Sequence, residues 1–181
     1  ESLPGNVGLT LTEIPAAVHD GRLKACVLMG ENPDLSDPHR AHVAEAFSEL
    51  ELVVQLDLFQ NESSRFAHVF LPAAAFAEKD GTFTNSERRV QRLYKAVEPP
   101  GEAKPDWWII GELSTRYGYP MAYDGPEAIM DELRTVTPQY GGMSYERLTG
   151  DGLCWPCPTE DHPGTQYLHK GKFSRGLGLF H

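Results

Sequence analysis

The 181-residue chain is 40% hydrophobic and 23% charged, with a formal net charge of −10, a composition normal for a soluble globular protein. The acidic balance excludes a nucleic-acid or anionic-membrane surface, and no apolar run approaches the ~20 residues that span a bilayer. The length suffices for one good core with an appendage.

Residues 1–8 read as extended lead-in. Residues 10–19 predict a short helix with Thr12 as N-cap and Ile14, Ala17 and Val18 as its apolar positions. Residues 23–29 are mostly apolar and run into Gly30-Glu31-Asn32-Pro33, the pattern of a buried strand ending in a tight turn. Asp37 and Pro38 then open a helix as N-cap and first residue. It reaches Leu50, and Val43, Phe47 and Leu50 make one buried stripe. Residues 52–56 form a short apolar strand, as a central parallel strand should be. Residues 61–65 are polar enough for one helical turn, and residues 66–71 give a third strand stopped by Pro72. This α-β-α-β-(α)-β order implies a parallel sheet with right-handed crossovers.

Beyond Pro72 the character changes. Residues 78–89 form a polar, turn-rich loop and residues 90–97 an extended segment. Residues 98–105, rich in proline, read as a rigid connector. Asp106 caps a helix to about Tyr117 with Trp107, Ile110, Leu113 and Tyr117 on one face, and Gly118 ends it. Residues 126–134 predict another helix, with Ile129, Met130 and Leu133 inward. From Thr137 no periodicity survives, which suggests a segment packed against something outside this chain. The expected organisation is an α/β portion over 1–120, and a short helix plus irregular segment over 121–181.

Ligand-binding groups in a parallel sheet collect at the carboxyl ends of the strands. The first end offers Gly30, Glu31, Asn32 and, one turn on, Ser36. The second offers Gln55 and Asp57, and the third Pro72 and the backbone of Ala73. The first loop has no Gly-Lys-Ser/Thr and no Gly-x-Gly-x-x-Gly; spacing alone fits an ordinary strand–helix corner equally well. Asp106 stands at a helix start. Its carboxylate can accept two parallel hydrogen bonds from a guanine, or act as an N-cap worth ~1 kcal/mol, and the roles are compatible. Glu87-Arg88-Arg89 with Arg92 and Lys95 is the only dense basic cluster, suited to an anionic group or to a salt-bridged surface. Cys26 reads as a buried small hydrophobe. Cys154 and Cys157 have redox or metal spacing, but a lone pair is a weak zinc signal and a structural role is expected. Three cysteines in all fit a reducing compartment, so a cytoplasmic location is expected, with a periplasmic one as the alternative. The seven histidines have no His-x-x-x-His spacing, and His162, His169 and His181 read as surface residues. No Ser/His/Asp set or Gly-x-Ser-x-Gly elbow is present, so no catalytic residue is assigned.

The ordered set Met29-Gly-Glu-Asn-Pro33, Phe70-Leu-Pro72, Glu78-Lys-Asp-Gly-Thr-Phe-Thr-Asn-x-Glu-Arg-Arg-Val-Gln-Arg92, Glu98-Pro-Pro100, Pro105-Asp-Trp107, Gly118-Tyr-Pro120, Ser144-Tyr-Glu146 and Trp155-Pro-Cys157 resembles the catalytic alpha subunit of molybdenum- or tungsten-dependent formate dehydrogenases. These belong to the dimethyl sulfoxide reductase family. Nitrate reductases of that family carry a similar Glu-Lys-x-Gly loop, but the Gly-Thr-Phe-Thr-Asn version and the Trp-Pro-Cys tail look more like formate dehydrogenases. Family members are several times longer. The resemblance therefore implies an internal piece: a parallel-sheet, Rossmann-like half-domain with an irregular C-terminal extension leading toward a barrel. In the family this domain holds the guanosine end of one molybdopterin guanine dinucleotide of a bis-molybdopterin cofactor with Mo or W.

Carried over by motif, Gly30 and Asn32 would contact that nucleotide, Ser36 would supply a nearby hydroxyl, and Asp106 would hold the guanine. The family's Gln usually precedes the Asp directly; here Leu56 stands between Gln55 and Asp57, and both are kept as candidates. The implied chemistry is formate oxidation to CO2. Its metal-ligating Cys or selenocysteine and its 4Fe-4S cysteines would lie upstream. The implied partners are the remainder of the alpha subunit and iron–sulfur or flavin electron-transfer subunits. Two alternatives stand beside this: a metal-free scaffold domain of a respiratory NADH dehydrogenase-like complex, and a stand-alone nucleotide-binding module.

Overall fold

A computed structural model describes residues 5–173 and 176–178. The chain divides into two compact units: one of residues 1–75 and 100–106, the other of 76–99 and 107–181. Residues 76–99 group with the C-terminal part in this division.

In the first unit, Thr10 caps a 3-10 turn and Glu13 reaches back to both its N–H and its hydroxyl at 2.7 Å. Thr10 is thus the cap, not Thr12, because the glutamate three residues on closes a capping box there. α1 (Ile14–His19) follows, then β1 (Ala25–Met29), α2 (Pro33–Ser36), α3 (Arg40–Glu49), β2 (Leu52–Asp57) and β3 (Val69–Pro72). The strands form a parallel sheet in the order β1-β2-β3. Lys104 extends it by a parallel bridge to Ala73.

α1, α3 and one face of the sheet enclose a core of Val18, Leu28, Val43, Ala46, Phe47, Leu50 and Val53. The expected stripe of Val43, Phe47 and Leu50 is buried, at about 1.5–3 kcal/mol for each large side chain. β2 is the central strand, with Val53 and Leu56 fully buried.

β1 is not the buried strand expected. It is an edge strand covered on one face only: Leu28 is buried while Val27 and Met29 are 61% and 49% exposed. Cys26 is correspondingly half-buried, packed against the core from the covered side. The helix after β1 also differs. α2 starts at Pro33 with Asn32 as its cap, and the longer α3 starts at Arg40. Asp37 accepts only the N–H of His39 at 2.8 Å, between the two helices.

In the second unit, β4 (Gly81–Thr84), within the stretch expected to be loop, and β5 (Arg89–Leu93), largely within the segment expected to be extended, form an antiparallel hairpin. Its turn closes on Asn85, whose Oδ1 accepts the N–H groups of Glu87 and Arg89, with Arg88 left-handed at φ 67°. β6 (Leu153–Cys154) pairs with β5. α4 (Asp106–Arg116) begins with Asp106 inside the helix. It buries Ile109 and Gly111 rather than the predicted stripe, and Tyr117 is 83% exposed. A side chain at Gly111 would place its Cβ 2.9 Å from the Met121 carbonyl, so close backbone approach selects this face. α5 (Pro126–Val136) turns Met130 inward as expected.

The irregular tail contributes to a core shared with β5 and α5. Met143, Tyr145, Leu148 and Cys157 are buried with Val90 and Met130. Arg147 ties it together, donating to the carbonyls of Gly142, Thr159 (3.3 Å) and His162 (2.7 Å).

Candidate functional site

The parallel sheet of the first unit brings the carboxyl ends of its strands to one edge. Gly30 ends β1, with its N–H donated to the Leu56 carbonyl at 2.9 Å. Its φ of +62° is left-handed, and a Cβ there would meet no atom within 4 Å. The glycine is thus required by the turn's conformation, in front of which the space is open. Asp57 ends β2, and its carbonyl accepts the Ala73 N–H at 3.0 Å. Ala74 in turn donates to the Lys104 carbonyl at 2.8 Å, which places Pro105 and Asp106 at the same edge, one strand position further along. Three inter-strand spacings separate the Gly30 turn from the segment that leads into Asp106, an edge of about 14 Å at the usual strand spacing.

Polar side chains fill the space behind this edge. Asn32 bridges the turn to the 3-10 turn Glu62–Phe66: its Oδ1 accepts from the Ser63 hydroxyl at 2.8 Å and the Ser63 N–H at 3.2 Å. Its Nδ2 donates to Glu62 at 2.7 Å. That donation is the first cause holding the Glu62 carboxyl below its ordinary value. Ser36 is exposed and its hydroxyl lies 3.4 Å from Glu31. Gln55 is completely buried and donates to Asn61 at 3.0 Å, while Asn61 donates to the Asp57 carboxylate at 2.9 Å. Gln55 and Asp57 therefore belong to one hydrogen-bonded chain despite the intervening Leu56. The Gln55 Oε1 is buried with no partner among the described residues.

The sequence reading missed the buried carboxylate here. Asp34, in α2, is fully buried, and its N–H donates to the Ser63 hydroxyl at 3.0 Å. Its carboxylate is held by Arg65 at 2.8 Å and by Arg40 at 3.3 Å, both guanidiniums about half exposed. A buried carboxylate persists only when paired in this way. No spacing rule links Asp34 to Ser63 and Arg65; only the packing of α2 on the following turn does.

The Arg88, Arg89, Arg92 cluster is part of the second unit's structure. Arg88 donates to the carbonyls of Trp155, Thr165 and Gln166. Arg89 pairs with Glu87 at 2.9 Å, and Arg92 lies 3.8 Å over the Tyr145 ring. Cys154 and Cys157 are buried free thiols, and the Cys157 Sγ approaches the His162 carbonyl at 3.3 Å. His162 is half-buried and His169 exposed; His181 lies outside the described residues.

A parallel sheet with polar side chains and an ordered glycine turn at the carboxyl ends of its strands is the α/β layout that gathers candidate ligand-binding groups at one edge. The molybdopterin oxidoreductase family model matches residues 2–116, and the chain belongs to that family. It is 50% identical over 171 residues to the F420-dependent formate dehydrogenase subunit alpha of Methanocaldococcus jannaschii, covering 93% of this chain and 25% of that one. It is 41% identical over 182 residues to formate dehydrogenase H of Escherichia coli, covering 99% of this chain and 26% of that one. The chain thus spans about a quarter of the length of these relatives. The fold is shared with the acetylene hydratase of Pelobacter acetylenicus, at a TM-score of 0.59 and 21% identity over 74% of this chain and 19% of that one.

Proposed function

We propose that this chain is the part of a molybdopterin-dependent formate dehydrogenase alpha subunit that holds the guanosine end of a molybdopterin guanine dinucleotide. The observation that carries the reading is the common edge: the left-handed Gly30 turn, the Asp57 end of β2 and Asp106 stand along one side of the sheet. The residues fit such a group. The open space before Gly30 lets a ligand approach backbone closely, the buried Gln55 Oε1 is an acceptor without a partner among the described residues, and a carboxylate such as that of Asp106 can take two N–H donors of a guanine side by side. Asn32 enters the reading chiefly as a brace, since its amide is spent on Ser63 and Glu62. Ser36, exposed at the end of α2, is free of that network except for Glu31.

The cofactor, when bound, supplies the redox metal at which formate is oxidised to CO2. The residues of this chain orient its nucleotide end; the groups that handle formate, and the 4Fe-4S ligands, belong to the remainder of the subunit. Iron–sulfur or flavin subunits would carry the electrons onward, as partners of an alpha subunit. No helix among the described residues is long and apolar enough to cross a membrane. The free thiols of Cys26, Cys154 and Cys157 support a cytoplasmic location.

The test is Asp106→Ala in the full-length enzyme, with guanine and molybdenum or tungsten measured per subunit after purification. The expected result is loss of most bound dinucleotide and a parallel loss of formate oxidation. Unchanged guanine and metal content overturns the assignment.

A further inference from the structure

The histidines that sequence spacing leaves scattered are gathered by the packing of α1 on α3. The ligating atoms of His19, His42 and Glu45 all lie within 4.8 Å of one another. His42 and Glu45 are three residues apart on one face of α3, a spacing that lets both reach one ion. His19, the last residue of α1, comes from across the helix pair. From this geometry we propose that His19, His42 and Glu45 form a binding site for a divalent transition-metal ion of the zinc class, pinning α1 to α3.

Two further observations give the cluster the form of a site. The His19 Nδ1 is held by Glu49 at 2.9 Å. Metal-ligating histidines are commonly fixed by a carboxylate on the other ring nitrogen, which sets tautomer and ring direction. With Nδ1 engaged, Nε2 is the nitrogen left to ligate. The His42 ring is itself held in place, its centroid 5.3 Å from those of His19 and His39.

Two imidazoles and one carboxylate suit zinc, nickel or cobalt better than magnesium or calcium, which take oxygen ligands. A tetrahedral ion with bonds of about 2.0–2.1 Å needs its ligands roughly 3.4 Å apart. Their separations must therefore shrink by up to about 1.4 Å, which the exposed His19 and Glu45 side chains can do by small torsional changes. The fourth position is left to water. The site is formed by α1 and α3 alone, so it stands independently of any nucleotide at the sheet edge.

The experiment is calorimetric titration of ZnCl2 into the purified full-length protein and into its His19→Ala, His42→Ala and Glu49→Gln variants. The unaltered protein is expected to bind one additional zinc ion per chain. His19→Ala and His42→Ala each lose that event, and Glu49→Gln weakens it about 10- to 100-fold. His19 is exposed at a helix end, so its variant keeps the fold and serves where His42→Ala does not. No additional zinc bound, or an event that survives both histidine substitutions, overturns the site.

Discussion

The two units bury their cores by different means. The first packs α1 and α3 on a parallel sheet, so each buried side chain sits at a periodic position and the backbone is satisfied by regular ladders. The second buries Met143, Leu148 and Cys157 from segments that are neither helix nor strand. There the carbonyls are gathered by guanidiniums: Arg147 serves Gly142, Thr159 and His162, and Arg88 serves Trp155, Thr165 and Gln166. Irregular backbone can be buried when fixed donors reach its acceptors. It then tolerates little change, because no ladder redistributes the strain.

The largest effect on that contrast is expected at Gly152. Its φ is +72°, and a Cβ there would stand 2.2 Å from the Val90 carbonyl oxygen, where β6 meets β5. Left-handed strain and a backbone clash together predict about 3–5 kcal/mol of destabilisation for Gly152→Ala. Urea unfolding measures it, and a loss below about 1 kcal/mol would show that the tail adjusts freely. The first unit's nearest counterpart is Asp34. Asp34→Ala removes a buried carboxylate and leaves Arg40 and Arg65 without it. Breaking such a pair costs about 3–5 kcal/mol when both partners are buried; with both guanidiniums half exposed, about 2–3 kcal/mol is expected. An equal or larger loss than at Gly152 would mean that the regular unit is the more brittle one.

The same contrast decides what could be read beforehand. The Val43, Phe47, Leu50 stripe and the apolar run of β2 follow helix and strand periods, so they were legible. The Gly30 turn was legible because glycine and proline punctuate it. β4 was not, since Gly-Thr-Phe-Thr lies in a polar stretch and its strand character comes from pairing with Val90, Gln91, Arg92 and Leu93. The buried face of α4 was misread because Gly111 carries no side chain for a hydrophobic pattern to register. At the candidate site, the placement of Gly30, Asn32, Gln55 and Asp57 at strand ends was legible. Asp34 was not, because a buried acid is recognised only by partners that tertiary packing brings to it. The uncovered face of β1, with Val27 and Met29 exposed, is of the same kind: a hydrophobic strand pattern does not say which face is left bare.

The smallest expected effect concerns the bridge between Asn32 and Glu62. The amide of Asn32 donates to the Glu62 carboxylate and keeps its pKa below the ordinary glutamate value. A carboxyl whose pKa is lowered on folding contributes stability above its unfolded pKa and loses that contribution as pH falls through the folded one. Asn32→Ala removes the donor, so the Glu62 pKa should rise toward the ordinary value, as followed by carbon NMR of its side-chain carboxyl. The variant also loses the Ser63 contacts, a cost that does not depend on pH. The stability gap between the two proteins should therefore be widest near neutrality and narrow, without closing, below the ordinary glutamate range. A gap that stays constant down to that range would mean that Glu62 is anchored by the backbone of its own turn, with Asn32 bracing Ser63 alone.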